Sequence, residues 1–166
     1  MFSMYDATIP PITRILNNLS TVLEKAKDHA DAKKIDPSVL VDARLFPDMY
    51  PLSRQVQIAT DMSKGAAARL AGVEIPKYED NETTFDDLQA RIAKTITFLE
   101  SIKPEQLTGA ETRDISITVG KTEMAFTGQQ YLLNWVYPNV YFHATTAYDI
   151  LRHNGVELSK RDYLGG

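Results

Sequence analysis

The chain contains no cysteine. This absence excludes disulfide bonds, thiolate metal ligands and a cysteine nucleophile. A chain without cysteine suits a reducing compartment, and we expect a cytoplasmic protein.

An excess of basic residues is missing as well. The 166 residues include 18 Lys and Arg against 22 Asp and Glu, a formal net charge of −4, so the basic footprint of a nucleic-acid-binding protein is absent. No run approaches the 18 apolar residues of a membrane-spanning helix. The start, MFSMYDATIPP, lacks the features of a signal peptide. We therefore expect neither nucleic acid nor membrane as a partner.

Most motifs of catalysis are also lacking. The sequence has no GxSxG, GxGxxG or HExxH motif and no Glu-x-x-His pair of the di-iron bundle type. The Gly-Lys-Thr in residues 118–123 resembles part of a phosphate loop, but Ile115 stands where that loop needs its first glycine. With three histidines in all, a strong transition-metal site is not indicated by the residues themselves.

Helical periodicity is what the sequence does have. Apolar residues recur at intervals of three and four over roughly 6–30, 51–71, 84–103 and 129–153, with a short helix expected near 38–43. Pro10 and Pro11 suit a first helical turn, whereas Pro138 should kink or split the last helix. Residues 73–83 read as a loop, and the apolar residues 45–51 as a loop that packs over the helices.

A different periodicity precedes the last helix. Ile115, Ile117 and Val119 alternate with polar residues before Gly120, and Met124 and Phe126 alternate after it. This pattern predicts a β-hairpin. The fold expected is a mainly α, four-helix bundle with a long connection between helices one and two, a hairpin before the last helix, and an irregular tail after residue 155. We expect residues 1–166 to form a single domain.

Of the histidines, His143 is the best candidate for a functional residue. It falls about 80° from the centre of the apolar stripe of the last helix, at the border of the buried face. Two interpretations stay open: a boundary histidine bonded to a neighbouring helix, or a ligand-binding or acid/base group facing a pocket between helices. His29, in a charged helix end, and His153, paired with Asp149, are expected to be solvated.

Aromatic residues cluster in YLLNWVYPNVYF, residues 131–142. They are typical of a core or an interface, and Trp135 and Tyr137, beside the proline, are candidates to line a pocket or a dimer face.

The segment FHATTAYDILRHNGVEL, residues 142–158, resembles the last ligand helix of DinB-like (DinB/YfiT) metalloenzymes. With ARLFPDMYPLSRQVQIA and the closing KRDYLGG, the chain looks most like a branch of that superfamily with no assigned activity. The resemblance implies a four-helix bundle with a long crossover, and a divalent metal, often nickel or zinc, bound by three histidines.

Aligned on Leu151-Arg152 and Gly155, the second histidine of the family's pair is His143 and the first is Asn139. The histidine of helix two falls near Gln57, and a shift in register would replace it by Gln55 or Ile58. One ligand of three is thus retained, and neutral amide oxygens bind transition metals poorly. The resemblance therefore implies a degenerate metal site.

From these observations we expect His143, Asn139 and Gln57 to converge at a cleft between helices, with Tyr50 and Asp61 as weaker candidates to complete it. His143 would serve a small molecule as a hydrogen-bonding or acid/base group. Two alternatives stay open. One is a divalent-metal-dependent enzyme, for which the family suggests a thiol-dependent transferase. The other is a non-catalytic interaction protein, and a homodimer is expected from the family and the aromatic helix face.

Overall fold

The computed structural model describes residues 3–166. They form a mainly helical bundle with one small antiparallel hairpin, which confirms the fold class. In chain order the elements are α1 (Met4–Lys33), α2 (Pro37–Val41), α3 (Leu52–Ala71), α4 (Phe85–Ser101), β1 (Asp114–Val119), β2 (Thr122–Thr127), α5 (Gly128–Tyr131), α6 (Tyr137–His153) and α7 (Lys160–Leu164). Two short 3₁₀ turns, Pro104–Leu107 and Ala110–Thr112, lead into the hairpin.

Polar side chains define where the helices begin. Ser3 and Asp6 form a reciprocal capping box at the start of α1, and Thr84 and Asp87 form another at the start of α4. Each box satisfies backbone N–H groups that have no partner inside the helix. The side chain of Asp36 caps α2 by accepting from the backbone N–H of Ser38.

The start of α1 corrects one prediction. The helix begins at Met4, so Pro10 and Pro11 lie beyond its first turn. Pro11 has no N–H to offer the carbonyl of Ala7, four residues earlier. The hydroxyl of Tyr137 donates to that carbonyl instead. A contact from another helix therefore makes the internal proline tolerable.

The core lies between the four long helices α1, α3, α4 and α6. The buried stripe of α3 includes Leu52, Val56, Ala59, Ala66 and Leu70, all fully buried. Small side chains on this helix allow α6 to pack closely along it.

The hairpin forms where the alternation predicts it. Asp114 pairs with Thr127 and Val119 with Thr122, and Gly120 takes the left-handed conformation (φ +61°) in the turn. Ile115 and Ile117 are buried.

The last long helical segment is interrupted near Pro138, as predicted. Five residues of π-helix, Leu132–Val136, separate α5 from α6. Pro138 follows this π-helical segment closely, as the second residue of α6.

Two local predictions were wrong. The loop of residues 45–51 does not pack over the bundle, because Phe46 and Tyr50 are 63% and 58% exposed. The tail is not irregular, because residues 160–164 form α7, capped by Ser159. Among residues 3–166, no helix combines the length and the apolar character needed to cross a membrane.

Candidate functional site

The candidate site lies where α6 packs against the first turns of α3. His143 on α6 is half-buried, and its Nδ1 lies 2.7 Å from Oε1 of Gln55 on α3. Gln55 itself is buried. The contact joins a ring nitrogen to an amide oxygen across the helix interface.

A second hydrogen bond fixes the orientation of the Gln55 amide. Its Nε2 donates to the backbone carbonyl of Tyr50 over 3.0 Å. Because a carbonyl only accepts, the NH₂ group must face Tyr50 and the amide oxygen must face His143. Nδ1 of His143 therefore carries the proton and donates it to Gln55. In the neutral ring this leaves Nε2 as an acceptor with a free lone pair.

Burial lowers the pKa of His143 below its ordinary value, and the positive charge of Arg54 lowers it further. Both effects favour the neutral form of the imidazole. Across the described range, 3–166, no protein group is hydrogen-bonded to Nε2. The site thus presents one unused acceptor that stays unprotonated at neutral pH.

The other predicted site residues have different partners. Gln57 accepts a hydrogen bond from Arg54 over 3.1 Å and donates to the carboxylate of Glu82 over 2.9 Å. The Asn139 amide donates to the carbonyl of Trp135 one turn earlier in its own helix, over 2.7 Å. The structure therefore brings Gln55, the register alternative, to His143, and gives Gln57 and Asn139 no hydrogen bond to it.

Tyr50 and Asp61 are also placed. The backbone carbonyl of Tyr50 accepts from Gln55, while the Tyr50 ring is exposed. We call the two hydrogen bonds that lead from His143 through Gln55 to this carbonyl the relay. Asp61 forms ion pairs with Lys64 and Arg91, both at 2.7 Å. It belongs to a separate charged cluster on the α4 side of α3.

Arg91 is the centre of that cluster. The sequence analysis did not predict this residue or its ion pairs. Its side chain is fully buried and pairs with Asp61, Asp80 and Glu82 at 2.7, 3.0 and 2.9 Å. Its Nε donates to the hydroxyl of Thr60 over 2.7 Å. An ion this deeply buried persists only where carboxylates and further acceptors compensate for lost hydration.

The cluster holds the loop between α3 and α4. The ring of Tyr78 lies 4.0 Å from the Lys94 ammonium and 4.6 Å from that of Lys64. A sequence signal for this arrangement existed, because Arg91 sits within the apolar stripe of its helix beside Leu88 and Ile92. An arginine at such a position needs acidic partners.

The donors present do not fit the divalent metal that the resemblance implies. In the described part of the chain, no three His, Asp or Glu side chains are placed to hold a metal ion. The amide oxygens of Gln57 and Gln55 already accept hydrogen bonds, from Arg54 and His143 respectively. One imidazole nitrogen alone makes a poor transition-metal site.

Two exposed aromatic rings lie near the residues of the site. The ring of Phe142, 57% exposed, meets the imidazole of His143 edge-on at 5.2 Å. The ring of Tyr50, 58% exposed, lies beside Arg54, whose guanidinium carbon is 6.0 Å from the ring centre.

The aromatic residues expected at a pocket or dimer face have interior contacts. Trp135 is partly buried, 6.3 Å from the ring of Phe126, and Tyr137 is half-buried against α1.

A groove of about 570 Å³ lies elsewhere, between the start of α1 and the π-helical segment. Met4, Ala7, Leu107, Leu132 and Leu133 contribute its apolar lining.

Comparisons with known proteins give a family and a similar solved structure. The family model described as "Domain of unknown function (DUF1993)" matches residues 4–164. A DinB family member protein from Shewanella denitrificans has a similar crystal structure, with 43% sequence identity and a TM-score of 0.90. The similarity covers 98% of this chain and 92% of that one. No curated protein matches the chain.

Proposed function

This chain belongs to the DUF1993 family, a DinB-like branch of unknown function, and for this member of the family we propose that a small organic molecule binds at His143. The binding group is the imidazole itself, without a transition metal. The observation that carries the proposal is the relay from His143 through the Gln55 amide to the Tyr50 carbonyl. The relay leaves Nε2 free to accept a hydrogen bond.

The chemistry of the ligand follows from that acceptor. A neutral imidazole with Nδ1 protonated accepts from an O–H or N–H group through Nε2, and it can take up a proton from that group as a general base. The exposed rings of Tyr50 and Phe142 favour an apolar or aromatic body beside the donor. A small aromatic alcohol has both features.

The test uses 1-phenyl-1,2-ethanediol, which is neutral and carries hydroxyl donors next to a phenyl ring. It is titrated into the protein with ¹⁵N-labelled histidine, and the imidazole nitrogens are followed by NMR. We expect Nε2 of His143 to shift and saturate, because it accepts the ligand's hydrogen bond. His153, exposed on the same helix, should not shift.

Two variants complete this experiment. His143→Gln should abolish saturable binding, and His153→Gln should leave it unchanged. Loading the wild-type protein with Ni²⁺ or Zn²⁺ should not change its affinity for the diol. The proposal is wrong if Nε2 of His143 does not respond, or if binding requires the metal.

A homodimer is a second candidate, favoured by the exposure of Tyr141 and Phe142 on α6, 39% and 57%. Sedimentation of the wild type beside Phe142→Ser tests it, with Val39→Ser, on α2 and 58% exposed, as the control. A dimer that dissociates only in the Phe142 variant supports the candidate, and a monomeric wild type rejects it.

A further inference from the structure

Arg54 immediately precedes Gln55, the partner of His143. It lies between the His143 site and the charged cluster around Arg91. Its side chain is 37% exposed. One nitrogen, Nη1, makes both of its protein hydrogen bonds, to Asp80 over 2.5 Å and to Gln57 over 3.1 Å. Asp80 in the loop and Gln57 on α3 therefore bind the guanidinium through Nη1 alone.

The opposite edge of the guanidinium is unused. Over residues 3–166, neither Nε nor Nη2 of Arg54 has a hydrogen-bond partner in the protein. Those two N–H groups form the fork that pairs with both oxygens of a carboxylate. An arginine whose charge is already partly balanced still has this edge free for a ligand.

Resting on the function proposed above, we propose that the ligand carries a carboxylate beside its hydroxyl or amino group, with Arg54 as the second binding residue. Arg54 pairs with the carboxylate through Nε and Nη2, while Nε2 of His143 accepts from the neighbouring O–H or N–H. Tyr50 and Phe142 contact the apolar remainder. The ligand class is a small hydroxy or amino acid with an apolar substituent.

The surrounding charges favour a carboxylate over a phosphate. Around Arg54, three cations and three carboxylates balance: Arg54, Lys64 and Arg91 against Asp61, Asp80 and Glu82. A ligand anion bound to Arg54 lies near the carboxylate of Asp80, so each added negative charge is repelled. A monoanion meets less of this repulsion than a dianionic phosphate ester.

The experiment compares three probes of one size class. Mandelate has the phenyl ring, the hydroxyl and the carboxylate; phenylacetate lacks the hydroxyl; and 1-phenyl-1,2-ethanediol lacks the carboxylate. Each is titrated while the Nε signal of Arg54 and the Nε2 signal of His143 are followed by NMR. We expect mandelate to shift both signals and to bind about tenfold more tightly than either other probe.

Variants assign the gain to Arg54. Arg54→Gln should reduce the affinity for mandelate by about tenfold, to about that of the diol. Arg54→Lys, which keeps the charge but not the fork, should fall between. Arg152→Gln, the same change of charge at an exposed position of α6, should have no effect. If Arg54→Gln does not fold, the Arg54→Lys variant and the wild-type Nε signal carry the test.

The two proposals fail separately. If the diol binds and mandelate binds no more tightly, or if Arg54→Gln leaves mandelate unaffected, the carboxylate site is wrong while the His143 site stands. If no probe shifts the His143 signal, both proposals are wrong.

Discussion

At His143, one amide decides which ring nitrogen carries the proton. Gln55 is itself oriented by the carbonyl of Tyr50, so the protonation of Nδ1 follows from a backbone group two contacts away. The half-buried ring then presents Nε2 as an acceptor at neutral pH. This environment is the basis of our proposal that His143 accepts a hydrogen bond from an organic molecule.

The titration of His143 tests this environment. Burial and then Arg54 lower its pKa, so its midpoint by NMR should lie below the ordinary 6.5. Arg54→Gln should raise the midpoint, because a repelling charge is removed, and Arg152→Gln should not. A midpoint above 6.5, or an unchanged midpoint in Arg54→Gln, contradicts this description.

The same pKa shift links His143 to stability. The unfolded chain binds a proton at pH values where the folded site does not, so stability decreases as pH falls through and below about 6.5. Urea unfolding at pH 7.5 and 5.5 should show a smaller loss for His143→Gln than for the wild type. An equal loss in both proteins would show that His143 does not contribute.

How far the sequence predicts the site is clearest at Gln55 and Gln57. The two residues flank the buried stripe around Val56 on opposite sides, about 100° away each. Periodicity identifies the stripe but not which flank faces α6 and which faces α4. The position of His143 at the border of the buried face could therefore be predicted, whereas its hydrogen-bond partner depended on the packing of a helix about 90 residues away in the chain.

At the scale of elements, α1 depends on a residue of α6. Its second turn contains two prolines, and the hydroxyl of Tyr137 occupies the carbonyl that Pro11 leaves free. Burial raises the pKa of Tyr137 to about 12. The hydroxyl therefore remains a donor at neutral pH.

A double-mutant cycle measures this contact. Tyr137→Phe should lower the free energy of unfolding by about 1–2 kcal/mol, because the Ala7 carbonyl loses its partner. In a Pro11→Ala background, where a backbone N–H is restored, the same change should cost less. Tyr141→Phe, on an exposed neighbouring ring, is the control. Equal losses in both backgrounds would show that the two residues are independent.

Elements with strong local signals were predicted, and those set by contacts were not. The hairpin and the start of α4 follow from short patterns. The helix α7 is too short to show periodicity, and contacts with α1 hold it: Arg14 and Asn18 donate to the carbonyls of Leu164 and Tyr163. The beginning of α1 was misplaced because the compensation for Pro11 comes from α6.

At the scale of the whole molecule, a charged cluster replaces apolar packing between α3, α4 and the loop that joins them. Arg91 is buried among three carboxylates, and the same cluster reaches Arg54 through Asp80. The loop, the bundle and the candidate site are therefore connected by ion pairs. Removing the central cation leaves those carboxylates unpaired.

Arg91→Met should lower the free energy of unfolding by about 3–5 kcal/mol, as expected when one partner of a buried ion pair is lost. Arg152→Met, the same change at an exposed position of α6, should cost much less. Urea unfolding of both variants measures the difference. A similar cost at the two positions would show that the cluster contributes little.

Acid should weaken the same cluster. Burial works to raise the pKa of Asp80, but the hydrogen bond and charge of Arg54, together with Arg91, keep it below 3.8. Its stabilising contribution is then complete above about pH 4 and is lost as pH falls through the folded pKa. Asp80→Asn should lose less stability than the wild type between pH 5 and pH 3, while Asp149→Asn should behave like the wild type.

The most direct measurement of the central claim is a long-range ¹H–¹⁵N spectrum of the His143 imidazole at pH 7, recorded before and after addition of Zn²⁺. The structure predicts a neutral ring with the proton on Nδ1, an unprotonated Nε2, and no stoichiometric zinc binding at this ring. A proton on Nε2, or stoichiometric zinc on Nε2 that disappears in His143→Ala, would contradict the account.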